Sequence, residues 1–117
     1  GAGWGEGLSR ADGSWPVVHP RAHRGSSVVL RVGDDLMYPT LQEGDLVLVN
    51  TAARKPRSGD IIVISAPGLA AVTRYRRIRR RPHVAGDNPT RPPVALADLE
   101  GPVILGTVIA LLRRDFR

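Results

Sequence analysis

The sequence predicts a mainly-β fold, and three observations predict it. Short runs rich in β-branched residues recur at Ser27 to Val32, Leu46 to Asn50 and Ile61 to Ser65. Each has the length of a strand. No segment keeps a helical apolar period, and ten prolines work against long helices. Two of the runs are entered by the same pair, Gly44-Asp45 and Gly59-Asp60. In such a turn Gly takes a positive φ and Asp bonds to its own backbone. The expected architecture is a folded β-sheet or barrel with short helical turns at most. A chain of 117 residues has room for one domain and one core.

The elements follow in order. Residues 1–27 hold six of the thirteen glycines, four of the six serines, both tryptophans and two of the three histidines. This composition reads as a linker or arm, with one extended piece at Trp15-Pro16-Val17-Val18. Residues 28–117 form the β domain. Pro39-Thr40-Leu41 has Pro where it can open a single helical turn. Ala66-Pro67-Gly68 is a turn, so Ile61 to Ser65 and Ala70 to Arg79 form a hairpin. On its second arm Ala71, Thr73 and Tyr75 share one face, and Val72, Arg74, Arg76 and Ile78 the other. Gly86-Asp87-Asn88-Pro89 and Arg91-Pro92-Pro93 are loops. Val103 to Leu112 closes the domain as a strand, with Gly106 as a candidate hinge. Aromatic residues are rare here, so the core is built from Val, Ile and Leu.

Composition excludes several functions. There is no cysteine, hence no disulfide, thiol nucleophile or thiolate metal site. His19, His23 and His83 are too few and too scattered for a zinc set, and no cofactor is implied. The longest apolar stretch, Val103 to Leu112, is half of what a membrane span needs. Gly1 to Arg10 has no apolar core of a secretory signal. The expectation is a soluble cytoplasmic protein. The net charge is +6, and sixteen of the seventeen basic residues are arginine. That bias fits a GC-rich genome as well as a nucleic-acid partner. Lys55 is the only lysine, so chemistry that needs an amine has one candidate.

The segment Leu30-Arg31-Val32-Gly33-Asp34-Asp35-Leu36-Met37-Tyr38-Pro39-Thr40-Leu41-Gln42-Glu43-Gly44-Asp45-Leu46-Val47-Leu48-Val49 resembles the S24 family of LexA- and phage CI-like self-cleaving repressors. The pattern there is a strand, Ser-Met-x-Pro-Thr, and a Gly-Asp strand. It continues with a second Gly-led strand, a hairpin carrying Val-Lys-Arg, a Gly-Asp-Asn-Pro loop and a closing Gly-x-Val strand. Here these are Gly59-Asp60-Ile61-Ile62-Val63, Val72-Thr73-Arg74, Gly86-Asp87-Asn88-Pro89 and Leu105-Gly106-Thr107-Val108. The likeness runs in order over residues 28–112. Signal peptidases of the S26 type share the core and are the nearest competing family. Family members cut themselves at an Ala-Gly or Cys-Gly bond upstream of the serine. Ala2-Gly3, 34 residues before Leu36, lies where the resemblance implies such a cleavage site.

The departures from that pattern decide the expected function. The family's serine falls on Leu36 and its lysine on Thr73. Amide hydrolysis by such a dyad needs a hydroxyl to attack and a neutral amine to take its proton. Leu supplies no nucleophile, and the Thr hydroxyl is no base near neutral pH. Losing both groups removes several orders of magnitude in rate. Asp34 and Asp35 are adjacent and point to different sides, so they make a poor acid–base pair. Lys55 lies in a polar connection. A one-residue shift would put Arg74 at the lysine position, and arginine stays protonated. A buried catalytic lysine must be desolvated at a cost in stability, which Leu36 and Thr73 avoid. The expectation is a former cleft filled by apolar side chains, with Leu36 packed on Met37, Ala71 or Tyr75. Leu36, Met37 and Thr73 are therefore relic positions.

Three functions remain in play. The first is a non-catalytic regulatory domain of a LexA/CI-like transcriptional repressor. It would be a homodimer, with DNA bound through an absent N-terminal helix-turn-helix. A protein inducer or anti-repressor would be its other partner. Its expected dimer edge is the closing strand, at Val103, Ile104, Leu105 and Val108, since an apolar edge strand needs a partner. The second is nucleic-acid contact by Arg74, Arg76, Arg77, Arg79, Arg80 and Arg81, six arginines within eight residues. The alternative for that run is a solvated hairpin. The third is an active S24 or S26 serine peptidase.

Overall fold

The computed structural model describes residues 8–9 and 27–112. Ala2, Gly3 and the Trp15-to-Val18 piece lie outside the described residues. The strands are β1 (Leu8–Ser9), β2 (Ser27–Val32), β3 (Leu46–Asn50) and β4 (Ile61–Ala66). They continue with β5 (Leu69–Ile78), β6 (Arg81–Ala85), β7 (Val94–Ala95) and β8 (Val103–Leu112). One 3-10 turn, Leu96–Asp98, is the only helical element among the described residues. All pairings are antiparallel, and the strands form one sheet in the order β1-β2-β3-β8-β4-β5-β6-β7.

The mainly-β reading holds, and β2, β3 and β4 begin where the β-branched runs begin. The two Gly-Asp pairs build one turn twice. Gly44 and Gly59 have φ of 94° and 103°. Asp45 Oδ2 accepts from the Gln42 amide at 2.8 Å, and Asp60 Oδ2 from the Arg57 amide at 2.9 Å. Each Asp amide also donates to the carbonyl three residues back. Pro39-Thr40-Leu41 forms a turn closed by a Leu41-to-Met37 bond of 2.9 Å, and the Tyr38-Pro39 peptide is cis.

Two apolar clusters lie on the two faces of the sheet's middle. Leu30, Val32, Met37, Leu41, Val47, Val49, Val63 and Val72 form the first. Leu36, Ile62, Ile64, Ala71, Tyr75 and Val84 form the second. β4 serves both, since Ile62, Val63 and Ile64 alternate between them and all are buried. A strand buried on both faces reads as a continuous apolar run, as Ile61 to Ile64 does.

The closing strand lies between β3 and β4 in the sheet order. Its two halves pair on different sides: the part from Val103 to Thr107 pairs with β4 and the part from Thr107 to Leu112 with β3, so only Thr107 has a partner on both. One expectation needs correction, and it concerns Gly106. β8 is one continuous strand, with register shifts against β4 and β3 on either side of Gly106. A Cβ at Gly106 would stand 2.6 Å from the Asn50 carbonyl oxygen and 2.7 Å from Val49 Cγ1. The glycine permits close passage of β3 and is no hinge.

Candidate functional site

The turn after β2 and the middle of β5 meet on the second cluster. Leu36 and Thr73 both have no exposed surface. Thr73 pairs with Ile62, and its neighbours on that face, Ala71 and Tyr75, pack with Leu36. The register thus brings Leu36 and Thr73 to one apolar cluster. The Thr73 hydroxyl donates to the Ala85 carbonyl at 2.8 Å, so its donor is used inside the protein. Met37 goes elsewhere. Its side chain lies in the first cluster, across the sheet from Leu36. Of the three expected neighbours of Leu36, Ala71 and Tyr75 are in its cluster and Met37 is not.

The loop Gly86 to Pro89 clamps this turn. The Asn88 amide donates to the Leu36 carbonyl at 3.0 Å, and Asn88 Nδ2 donates to the Asp35 carbonyl at 3.0 Å. Asn88 Oδ1 accepts from the Thr90 amide and hydroxyl at 3.1 and 2.9 Å. A Cβ on Gly86 would stand 2.3 Å from the Leu36 oxygen and 2.5 Å from Leu36 Cδ1. Only glycine lets the loop come this close.

Asp87 ties a third element to the site. It receives a forked pair from Arg74, Nε to Oδ1 at 2.9 Å and Nη2 to Oδ2 at 2.6 Å. The Thr40 hydroxyl donates to the same carboxylate. Arg74 Nη1 also reaches the Gly59 carbonyl at 2.7 Å. The Arg74 fork holds the Asp87 carboxyl below its usual range, against the opposing effect of burial, with Thr40 adding to it. The same contact raises Arg74. Arg74 is therefore part of the frame, and the structure separates it from the other arginines of its run. The motif match marks Gly86-Asp87-Asn88-Pro89 in the sequence, but not the contacts it makes.

The side chains that might have supplied chemistry do not converge. Asp34 Oδ1 caps the Leu36 amide at 3.1 Å, while Asp35 reaches out to Arg91 at 2.9 Å. Lys55 is exposed in the connection between β3 and β4. Among the described residues no three of His, Asp and Glu are grouped to hold a metal.

A family model described as Peptidase S24-like matches residues 4–109. The chain belongs to this family. Curated S24-like relatives include LexA repressor 1 of Geobacter sulfurreducens, 35% identical over 92 residues. LexA repressor 1 of Nocardia farcinica is 37% identical over 92 residues. The matches cover 77% and 78% of this chain but 45% and 41% of those proteins. The chain thus spans less than half the length of the relatives it matches. The S24-like match places the Leu36 turn, β5 and the Asp87 loop inside one family core.

Proposed function

We propose that this chain is the non-catalytic dimerisation and regulatory domain of a LexA/CI-like transcriptional repressor, with the self-cleavage dyad lost. One observation supports the reading. Leu36 and Thr73, the positions that the motif resemblance sets against the family's serine and lysine, are both fully buried. A leucine side chain in an apolar cluster offers nothing to attack a carbonyl, and the Thr73 hydroxyl is engaged by Ala85. The frame that orients such a site, from Arg74-Asp87 to Asn88-Leu36, remains in place.

The repressor role is taken from the two relatives, whose names state it. DNA binding would belong to a region outside the matched part. A protein inducer or anti-repressor would act where self-cleavage no longer relieves repression. The cytoplasm is the compartment this role requires. No helix among the described residues is long and apolar enough to cross a membrane.

Dimerisation rests on exposed apolar surface. Ile109, Leu111 and Leu112 at the end of β8 are 51, 39 and 44% exposed. Clustered apolar exposure of this kind marks contact surfaces. Beyond Thr107 this half of β8 pairs with β3 alone, so contact would use these side chains together with the unpaired side of the strand. Light scattering tests this, with a homodimer expected. A monomer at high micromolar concentration would contradict it.

A further inference from the structure

We propose that the tip of the β5–β6 hairpin is a contact site for the phosphate backbone of duplex DNA, within this domain itself. The proposal goes beyond the regulatory reading and stands without it. Four observations carry it.

The first is shape. β4 pairs with β5 only as far as Arg74, and β7 pairs with β6 only at His83 and Val84. Beyond Tyr75, whose backbone exchanges hydrogen bonds with Gly59 and Asp60, the hairpin from Arg76 to Pro82 has no third strand pairing on either side. A two-stranded ribbon of this kind fits the major groove of B-DNA.

The second is charge. Arg76, Arg77, Arg79, Arg80 and Arg81 on the ribbon are all exposed. The connection before β4 adds Arg57, held alongside by the Arg77 amide donating to Ser58 Oγ at 3.0 Å. No acidic residue occurs between Asp60 and Asp87 in the sequence. Asp87 is already forked by Arg74, and Asp60 accepts the Arg57 amide. None of the six arginines forms an ion pair with another described residue.

The third is the turn. Ile78 pairs with Arg81, so Arg79 and Arg80 alone form the loop, at φ of 53° and 68°. Two positive φ values define a turn that favours Asn-Gly, and arginine is strained there. Strain of this sort persists where the side chain serves a purpose. Arg77 Nη2 braces the turn through the Arg80 carbonyl at 2.8 Å.

The fourth separates the possible anionic partners. The ribbon's only aromatic ring, Tyr75, is buried, so there is no platform on which single-stranded bases would stack. Among the described residues the exposed large apolar side chains, Tyr38, Val103, Ile109, Leu111 and Leu112, all lie off the ribbon. A membrane-surface site would carry apolar groups beside its cations.

The test is anisotropy with a labelled mixed-sequence duplex, from about 50 to about 200 mM salt. The full chain is compared with the double variant R79N/R80G. That variant removes two cations and installs the pair this turn prefers, so its melting temperature should not fall. The native chain should bind, with affinity falling steeply as salt rises. The variant should bind roughly tenfold more weakly or worse at low salt, with a log–log salt slope shallower by about 1.8. Absent binding at about 50 mM salt would overturn the proposal. Unchanged affinity in the variant would do the same. So would equal or tighter binding to single-stranded DNA or to phosphatidylserine vesicles.

Discussion

Asp87 shows how one side chain can tie three segments together. Its carboxylate joins β5 through Arg74 and the turn after β2 through Thr40. Its folded pKa lies below the ordinary value of 3.8, chiefly because Arg74 hydrogen-bonds the charged form. A carboxyl with a depressed folded pKa adds stability that is fully present above its unfolded pKa. That contribution is lost as pH falls through the folded value. Asp87→Asn should therefore lower stability at neutral pH. The gap from the native chain should close progressively below pH 3.8, the ordinary carboxyl value. Urea unfolding across an acid pH series measures it, and a gap that persists at the acid end would refute the linkage. Leu36 and Thr73 were legible as departures from the family pattern because residue identity at a motif position needs no geometry. The split between Leu36 and Met37 was not legible, since a turn does not follow the strict alternation of a strand.

The elements differ in how plainly the sequence announces them. Strands rich in Val and Ile, bounded by Gly-Asp or Pro-Gly turns, were readable nearly to the residue. β6 was not, because Arg81-Pro82-His83 offers no β-branched residue and begins with a run of charge. It forms because Arg79 and Arg80 reverse the chain and its backbone completes the pairing of β5. The place of β8 between β3 and β4 was not legible either. Chain neighbours tend to pair, but β8 inserts between β3 and β4, a long-range choice that local pattern does not encode. The clamp from Gly86 to Asn88 is an element-scale device as well. Gly86→Ala should destabilise the domain by about 2–3 kcal/mol, since the added methyl overlaps a packed site. Its nearest neighbour is the Leu36 carbonyl oxygen at 2.3 Å, a backbone atom. Trimming the side chain with Leu36→Ala should therefore not rescue the variant. Thermal unfolding of both would show it, and full rescue would contradict the clamp.

At the scale of the whole molecule, one sheet serves two apolar clusters. The central strand β4 is buried on both sides, and Leu36 and Thr73 lie buried on one of them. The lone lysine, Lys55, is exposed on a connection, and the proposed loss of the dyad sets the family's lysine position at Thr73. Intact-mass spectrometry during prolonged incubation at alkaline pH tests this account most directly. High pH deprotonates any lysine that could act as a base and so favours self-cleavage. The account predicts an unchanged mass throughout, while a new N-terminus at Gly3, or any defined internal cut, would contradict it.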